Sequence, residues 1–142
     1  GRAINDGMAQ WMADGIHAAL GKPGADILIL GLTFKENVPD LRNSKVIDLV
    51  RALRGHGHSV AVHDPHADPA EARHEYGLDL ASMPGEPTYD CVIGAVRHEA
   101  FRTLSAADLA AILRPGGLVA DIKRMWPAPA ADAASTHHYW SI

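Results

Sequence analysis

The chain has 142 residues, 47% hydrophobic and 21% charged, with 13 Lys and Arg against 17 Asp and Glu for a formal net charge of -4. That is one globular domain's length with enough apolar material for an ordinary core, which sets aside disordered and fibrous classes. A weakly acidic chain without a basic run argues against nucleic acid or an anionic membrane surface as partner, and no apolar stretch approaches the ~20 residues needed to span a bilayer.

Residues 3–20 place Ile4, Met8, Trp11, Met12, Ile16, Ala19 and Leu20 at helical spacing, and Gly21, Pro23 and Gly24 end the element. Its wide apolar face calls for a partner, either another domain or a second copy. Ala25 to Leu30 then reads as a strand buried on both faces of a parallel sheet. The stretch from Gly31 to Ser44 follows directly, a polar loop carrying Lys35 and Arg42 that leads into a helix. A strand that stops at Gly and re-enters a helix through such a loop predicts an anion site, built from backbone N–H groups, the helix dipole and the two cations.

The helix spans Ser44 to Gly57, with Val46, Ile47, Leu49, Val50 and Leu53 as its buried stripe, and Ser59 to His63 forms a second strand closed by Asp64-Pro65. Asp68 caps a short helix from Pro69 to Tyr76, and Gly77 to Leu80 reads as a short third strand. Tyr89 to Val96 is the clearest strand, and Ser105 caps a helix running to Leu113. Arg114 to Gly117 is a turn, Leu118 to Ile122 a last strand, and a Pro/Ala-rich tail begins at Pro127. Strands and helices in alternation predict an α/β fold: a Rossmann-like, doubly wound parallel sheet of about five strands preceded by a long linking helix. The corresponding division is residues 1–21 for the linking helix, 22–126 for the sheet domain and 127–142 for the tail.

Several residues invite a chemical role. Lys35 and Arg42 sit at the carboxyl edge, where such sheets bind ligands; the plain alternative is that both are solvated. Only Gly31 of a G-x-G-x-x-G fingerprint is present, so side-chain cations would have to replace the usual pyrophosphate cradle. Asp64 stands where doubly wound folds often place a ribose-binding acid, but spacing favours a simple cap on the turn before Pro65. Nine histidines raise the question of metal, yet no ligand spacing appears among them. Cys91 lies in an apolar strand and reads as inert packing; a lone cysteine also fits a reducing, cytoplasmic setting. Lys123 and Arg124 leave the last strand at the same edge, with solvation and ligand contact evenly balanced.

The segment from Gly31 to Lys45, with its Glu-Asn-x-Pro-Asp-x-Arg-Asn wording, closely resembles the C-terminal domain of the UDP-glucose/GDP-mannose dehydrogenase family, and most of all the UDP-N-acetyl-hexosamine 6-dehydrogenases. Gly1 to Met8, Asp64-Pro65, Ala95 to Phe101 and Tyr139-Trp140 resemble the same family, although Ser141 stands where a basic residue is usual. The resemblance implies an NAD-dependent oxidation of a UDP-sugar C6 alcohol to a carboxylate, through a cysteine on a separate N-terminal half that also holds NAD. This chain would then be an excised C-terminal piece, inactive alone, partnered by that missing N-terminal NAD-binding domain and forming a homodimer through its first helix. By position, Phe34, Lys35, Lys123 and Arg124 resemble residues that contact the nucleotide sugar, and Arg42 one that reaches the NAD phosphates. No catalytic residue and no metal ligand is expected within it. The alternative is a non-catalytic nucleotide-binding or dimerisation module.

Overall fold

The computed structural model describes residues 6–33, 35–42, 44–127 and 137–141. β1 (Asp26–Leu30) is an interior strand of the sheet, and Ile27 to Leu30 are all fully buried because layers cover both of its faces. Ile27 and Ile29 point into one core with Met12, Ile16, Leu49, Val50, Leu53, Cys91 and Ile93. Leu28 and Leu30 point into the other, with Val92, Phe101, Leu109, Ile112 and Trp126. A strand's period of two thus divides one apolar run between two layers.

The first layer holds α1 (Asp6–Leu20), α2 (Val46–Gly55) and α3 (Pro69–Tyr76); the second holds the single turn α4 (Glu99–Arg102) and α5 (Ala106–Ile112). Between them β2 (Ser59–His63), β1, β3 (Tyr89–Gly94), β4 (Leu113–Asp121) and β5 (His138–Ser141) pair in that spatial order, every neighbour parallel. The chain steps outward from β1 to β2, then returns past β1 to β3. The order therefore reverses between β1 and β3, and a crevice opens at their carboxyl ends. The fold is the doubly wound α/β sheet read from the sequence. Among the described residues, no helix is long and apolar enough to cross a membrane.

Several details differ from the sequence reading. Residues 77–80 form no strand: Leu78 and Leu80 lie against the core, and the segment is tied to β2 through a bond from the Ala81 amide to the Val62 carbonyl (2.7 Å). Leu118–Ile122 is not the last strand, because the chain returns after the Pro/Ala-rich segment as β5, where Trp140 reaches across to α1. Residues 114–117 make a bulge inside β4 rather than a separate turn, the register moving from Tyr89↔Leu113 to Cys91↔Leu118. Much of the apolar face of α1 is covered within the chain: Met12 and Ile16 are fully buried in the core that α2 shares, while Trp11 remains exposed, at 57%.

Candidate functional site

The crevice is walled by the loop after β1, the turn after β2, the segment after β3 and the turn after β4. Gly31 opens the first at a φ of 109°, and a Cβ there would sit 2.5 Å from the Val96 Cβ, so no other residue fits. Its N–H donates to the His63 carbonyl at 2.8 Å, prolonging the β1–β2 ladder by one bond. Beyond it the loop's amides turn inward. Leu32 and Thr33 donate their N–H groups to Asp64 Oδ2 at 2.7 and 3.0 Å, and Asn37 donates to His98 Nδ1 at 2.8 Å.

This corrects the expectation of a backbone anion cradle. Among the described residues of the loop, the Leu32, Thr33 and Asn37 amides are already spent on Asp64 and His98. Nor does the α2 dipole begin where expected: the helix starts at Val46, while Ser44 donates its hydroxyl to the Leu32 carbonyl at 2.6 Å.

Asp64 is therefore more than a turn cap. It does cap, through Oδ1 and the His66 amide (2.8 Å), but Oδ2 also gathers Leu32, Thr33 and His98 Nε2 (2.9 Å). Burial by itself would raise its pKa; the bonds from His98 and the three amides outweigh that and hold it at about 2. Because Nδ1 of His98 accepts the Asn37 amide, its proton is assigned to Nε2, and the ring is neutral toward the carboxylate. The sequence reading missed His98 as a site residue, since its partners lie 61 and 34 positions away.

Asp121 shapes the opposite wall. Its carboxylate accepts the Met125 and Trp126 amides at 3.0 and 2.9 Å, curling the turn that presents Lys123 and Arg124. Lys123 is partly buried, which lowers its pKa; Glu36 from the first loop opposes that shift and Arg97 adds to it, so the two walls meet in charge. Lys35 and Arg97 are exposed. Arg42 is exposed too and folds back on Asp40 through Nε–Oδ1 (3.1 Å) and Nη2–Oδ2 (3.3 Å), a contact that raises its own pKa and lowers that of Asp40. Phe34 lies outside the described residues. The structure thus brings Lys35, Glu36, Arg97 and Lys123 to one edge and leaves Arg42 further along the loop in a local pair. Cys91 is fully buried and its thiol pKa pushed well up by burial, as expected of packing.

The sequence matches the model of the UDP-glucose/GDP-mannose dehydrogenase family, UDP binding domain, over residues 28–128. It is 38% identical over 128 residues to a UDP-N-acetyl-D-glucosamine 6-dehydrogenase of Pseudomonas aeruginosa, covering 87% of this chain and 30% of that protein. With Protein CapL of Staphylococcus aureus the identity is 41% over 128 residues, again 87% of this chain and 30% of the relative. In fold it superposes on an NDP-N-acetyl-D-galactosaminuronic acid dehydrogenase from Methanosarcina mazei Go1 with a TM-score of 0.80 at 21% identity, over 97% of this chain and 30% of that one. The chain spans about 30% of the length of these relatives. It belongs to the UDP-glucose/GDP-mannose dehydrogenase family, residues 28–128 matching that family's UDP binding domain.

Proposed function

We propose that this chain forms the nucleotide-sugar wall of an NAD-dependent dehydrogenase that oxidises the C6 alcohol of a UDP-N-acetyl-hexosamine to a carboxylate. The observation that carries this is the carboxyl edge, where half-buried Lys123 meets Arg97 and the loop of exposed Lys35 and Glu36, while the buried Asp64 and Asp121 are engaged by backbone amides. Carboxylates engaged in this way do not compete for the cations as free acids would, so a diphosphate can. Phe34 and Lys35 would contact the nucleotide sugar from one side, and Lys123 with Arg124 from the other. The names of the similar proteins support a UDP-N-acetyl-hexosamine as substrate.

NAD would supply the hydride acceptor, and the residues here fit it only in part. The Leu32 and Thr33 amides are engaged with Asp64, and the phosphate contact this domain would offer is Arg42, released from Asp40. Alone, the chain should make no NADH from a UDP-sugar; turnover by the purified chain would refute this. Self-association through α1 belongs to the same reading, and the Trp11 side is then the contact, since Met12 and Ile16 are covered.

A calorimetric titration of UDP tests the site. Binding is expected to weaken about tenfold in Lys35→Ala, the scale of one exposed charge-assisted contact, with GDP binding less well. Equal affinity in the variant and wild type would remove Lys35 from the site.

A further inference from the structure

His98 is fully buried at the point where β3 gives way to α4, with Phe101 at a centroid distance of 5.4 Å and the ring of His66 at 4.4 Å. It precedes the helix but does not cap it with its side chain. Its Nδ1 instead accepts the Asn37 amide from the first loop (2.8 Å), while Asn37 Oδ1 accepts the Glu99 amide (2.8 Å), a donor that the first turn of α4 would otherwise leave unpaired. Asn37 holds a φ of 62°, which Asn tolerates better than most residues. The two bonds form a reciprocal clasp between the β1 and β3 loops.

On its other side, Nε2 of His98 lies 2.9 Å from Asp64 Oδ2 and 3.1 Å from Thr33 Oγ1, whose hydroxyl donates to the Lys35 carbonyl at 2.9 Å. The backbone is therefore held on either side of Glu36: at the Lys35 carbonyl through Thr33, and at the Asn37 amide by the ring itself. Exposed Glu36 lies between two anchors that lead to one buried imidazole, and exposed Lys35 carries the first of them. We propose that His98 is a positioning residue for nucleotide binding, setting the Lys35-Glu36 segment against the crevice through its clasp with Asn37. This rests on the nucleotide-sugar reading above. A histidine needed only for packing would affect stability and leave the loop tip and ligand affinity alone.

Two substitutions divide the ring's roles. His98→Gln keeps a donor near the Nε2 position for Asp64 but offers nothing to the Asn37 amide. His98→Asn keeps an acceptor near the Nδ1 position and gives up the Asp64 contact. Hydrogen exchange at the Asn37 amide and UDP titration are read together, with urea midpoints to check folding. In His98→Gln the Asn37 amide should exchange at least about tenfold faster and UDP bind about tenfold more weakly, while His98→Asn stays within about threefold of wild type in both. Should the buried substitutions prevent folding, Asn37→Gly keeps the backbone conformation and the His98 bond, removes only the Glu99 bond, and should weaken UDP about threefold.

Unchanged Asn37 exchange in His98→Gln overturns the clasp whether or not a ligand binds. Faster exchange with unchanged UDP affinity, or Asn37→Gly binding as wild type does, overturns the positioning role. Failure of the wild-type chain to bind UDP would instead count against the nucleotide reading, seen before any variant is compared.

Discussion

At the amino end of the sheet, Asp26 and Asp90 share Arg114 at 2.9 and 3.0 Å, and Lys22 joins Asp90 at 3.2 Å, in a cluster open to solvent. At the carboxyl end, Asp64 and Asp121 sit buried and are met mainly by main-chain N–H groups. The same residue type serves two ends. In one place carboxylates neutralise cations and the surface is self-satisfied. In the other they fold the loops, and cations gather above them.

Removing one acid from each end should expose the difference. Asp64→Ala strips the acceptor from the Leu32, Thr33 and His66 amides and from His98, and should cost about 3 kcal/mol or more in urea unfolding. Asp90→Ala loses the Asp26 amide bond and partly exposed ion pairs, and should cost about 1 kcal/mol. Equal losses would erase the distinction.

Glycines at the two ends extend the test. Gly31→Ala combines a φ of 109° with a Cβ 2.5 Å from Val96, and should cost about 2–3 kcal/mol. In the β4 bulge, Gly116 has a φ of 78° but open space around it, so Gly116→Ala should cost about 1 kcal/mol. Equal costs would mean that the β1 exit can relax away from Val96.

Acid should also reach the two ends at different pH. Near the amino end, His17, His56 and His58 join α1 to the start of β2: His58 Nδ1 accepts the Ala25 amide at 3.0 Å, and its Nε2 meets His17 Nδ1 at 2.9 Å. Burial, then His17 and His56, lower the His58 pKa from 6.5, against a weaker pull upward from Asp90; His56 itself pairs with Asp14 at 2.7 Å. The unfolded chain takes up that proton first, so this stability is complete above about pH 6.5 and is lost as pH falls below it. Asp64 behaves likewise lower down: with its pKa at about 2 against 3.8, its contribution holds above pH 3.8 and fades toward pH 2. That second step should be worth about 2 kcal/mol. Urea midpoints against pH should show both steps, and His58→Asn should remove the first. A flat wild-type profile from pH 7.5 to 5 would show that His58 carries no such linkage.

Local chemistry was readable in the sequence. The β2 boundaries, and α3 from its Asp68 cap to Tyr76, agree with the expectation because propensity, cap and breaker lie within a few residues of each other. The alternation of elements sufficed for the sheet. What escaped was long-range. β5 follows a low-complexity segment and its pairing is set by β4, while α4 is one turn held by Asn37 from 62 residues away. The site split along the same line. The positions of Lys35 and Lys123 just past strand ends could be read from the sequence. Asp64 read as a cap and His98 as part of a motif, and only the fold shows that one carboxylate and one ring build the loop that carries Lys35.

The smallest effect belongs to Lys22. It is 55% exposed, and its partner Asp90 keeps the Asp26 amide and Arg114 when the lysine is gone. Lys22→Ala should therefore cost less than about 0.5 kcal/mol and become undetectable in roughly 0.5 M salt, where exposed pairs are screened. Lys35 is also an exposed lysine at a sheet end, yet its removal should leave stability unchanged and register in UDP affinity. If Lys22→Ala cost more than about 1 kcal/mol, exposed charge at the amino end would be supporting the fold, and the assignment of structural carboxylates to one end alone would fail. If both lysine variants were silent in stability and only Lys35→Ala moved UDP affinity, the two ends would differ in function by the one thing the backbone leaves outward at each.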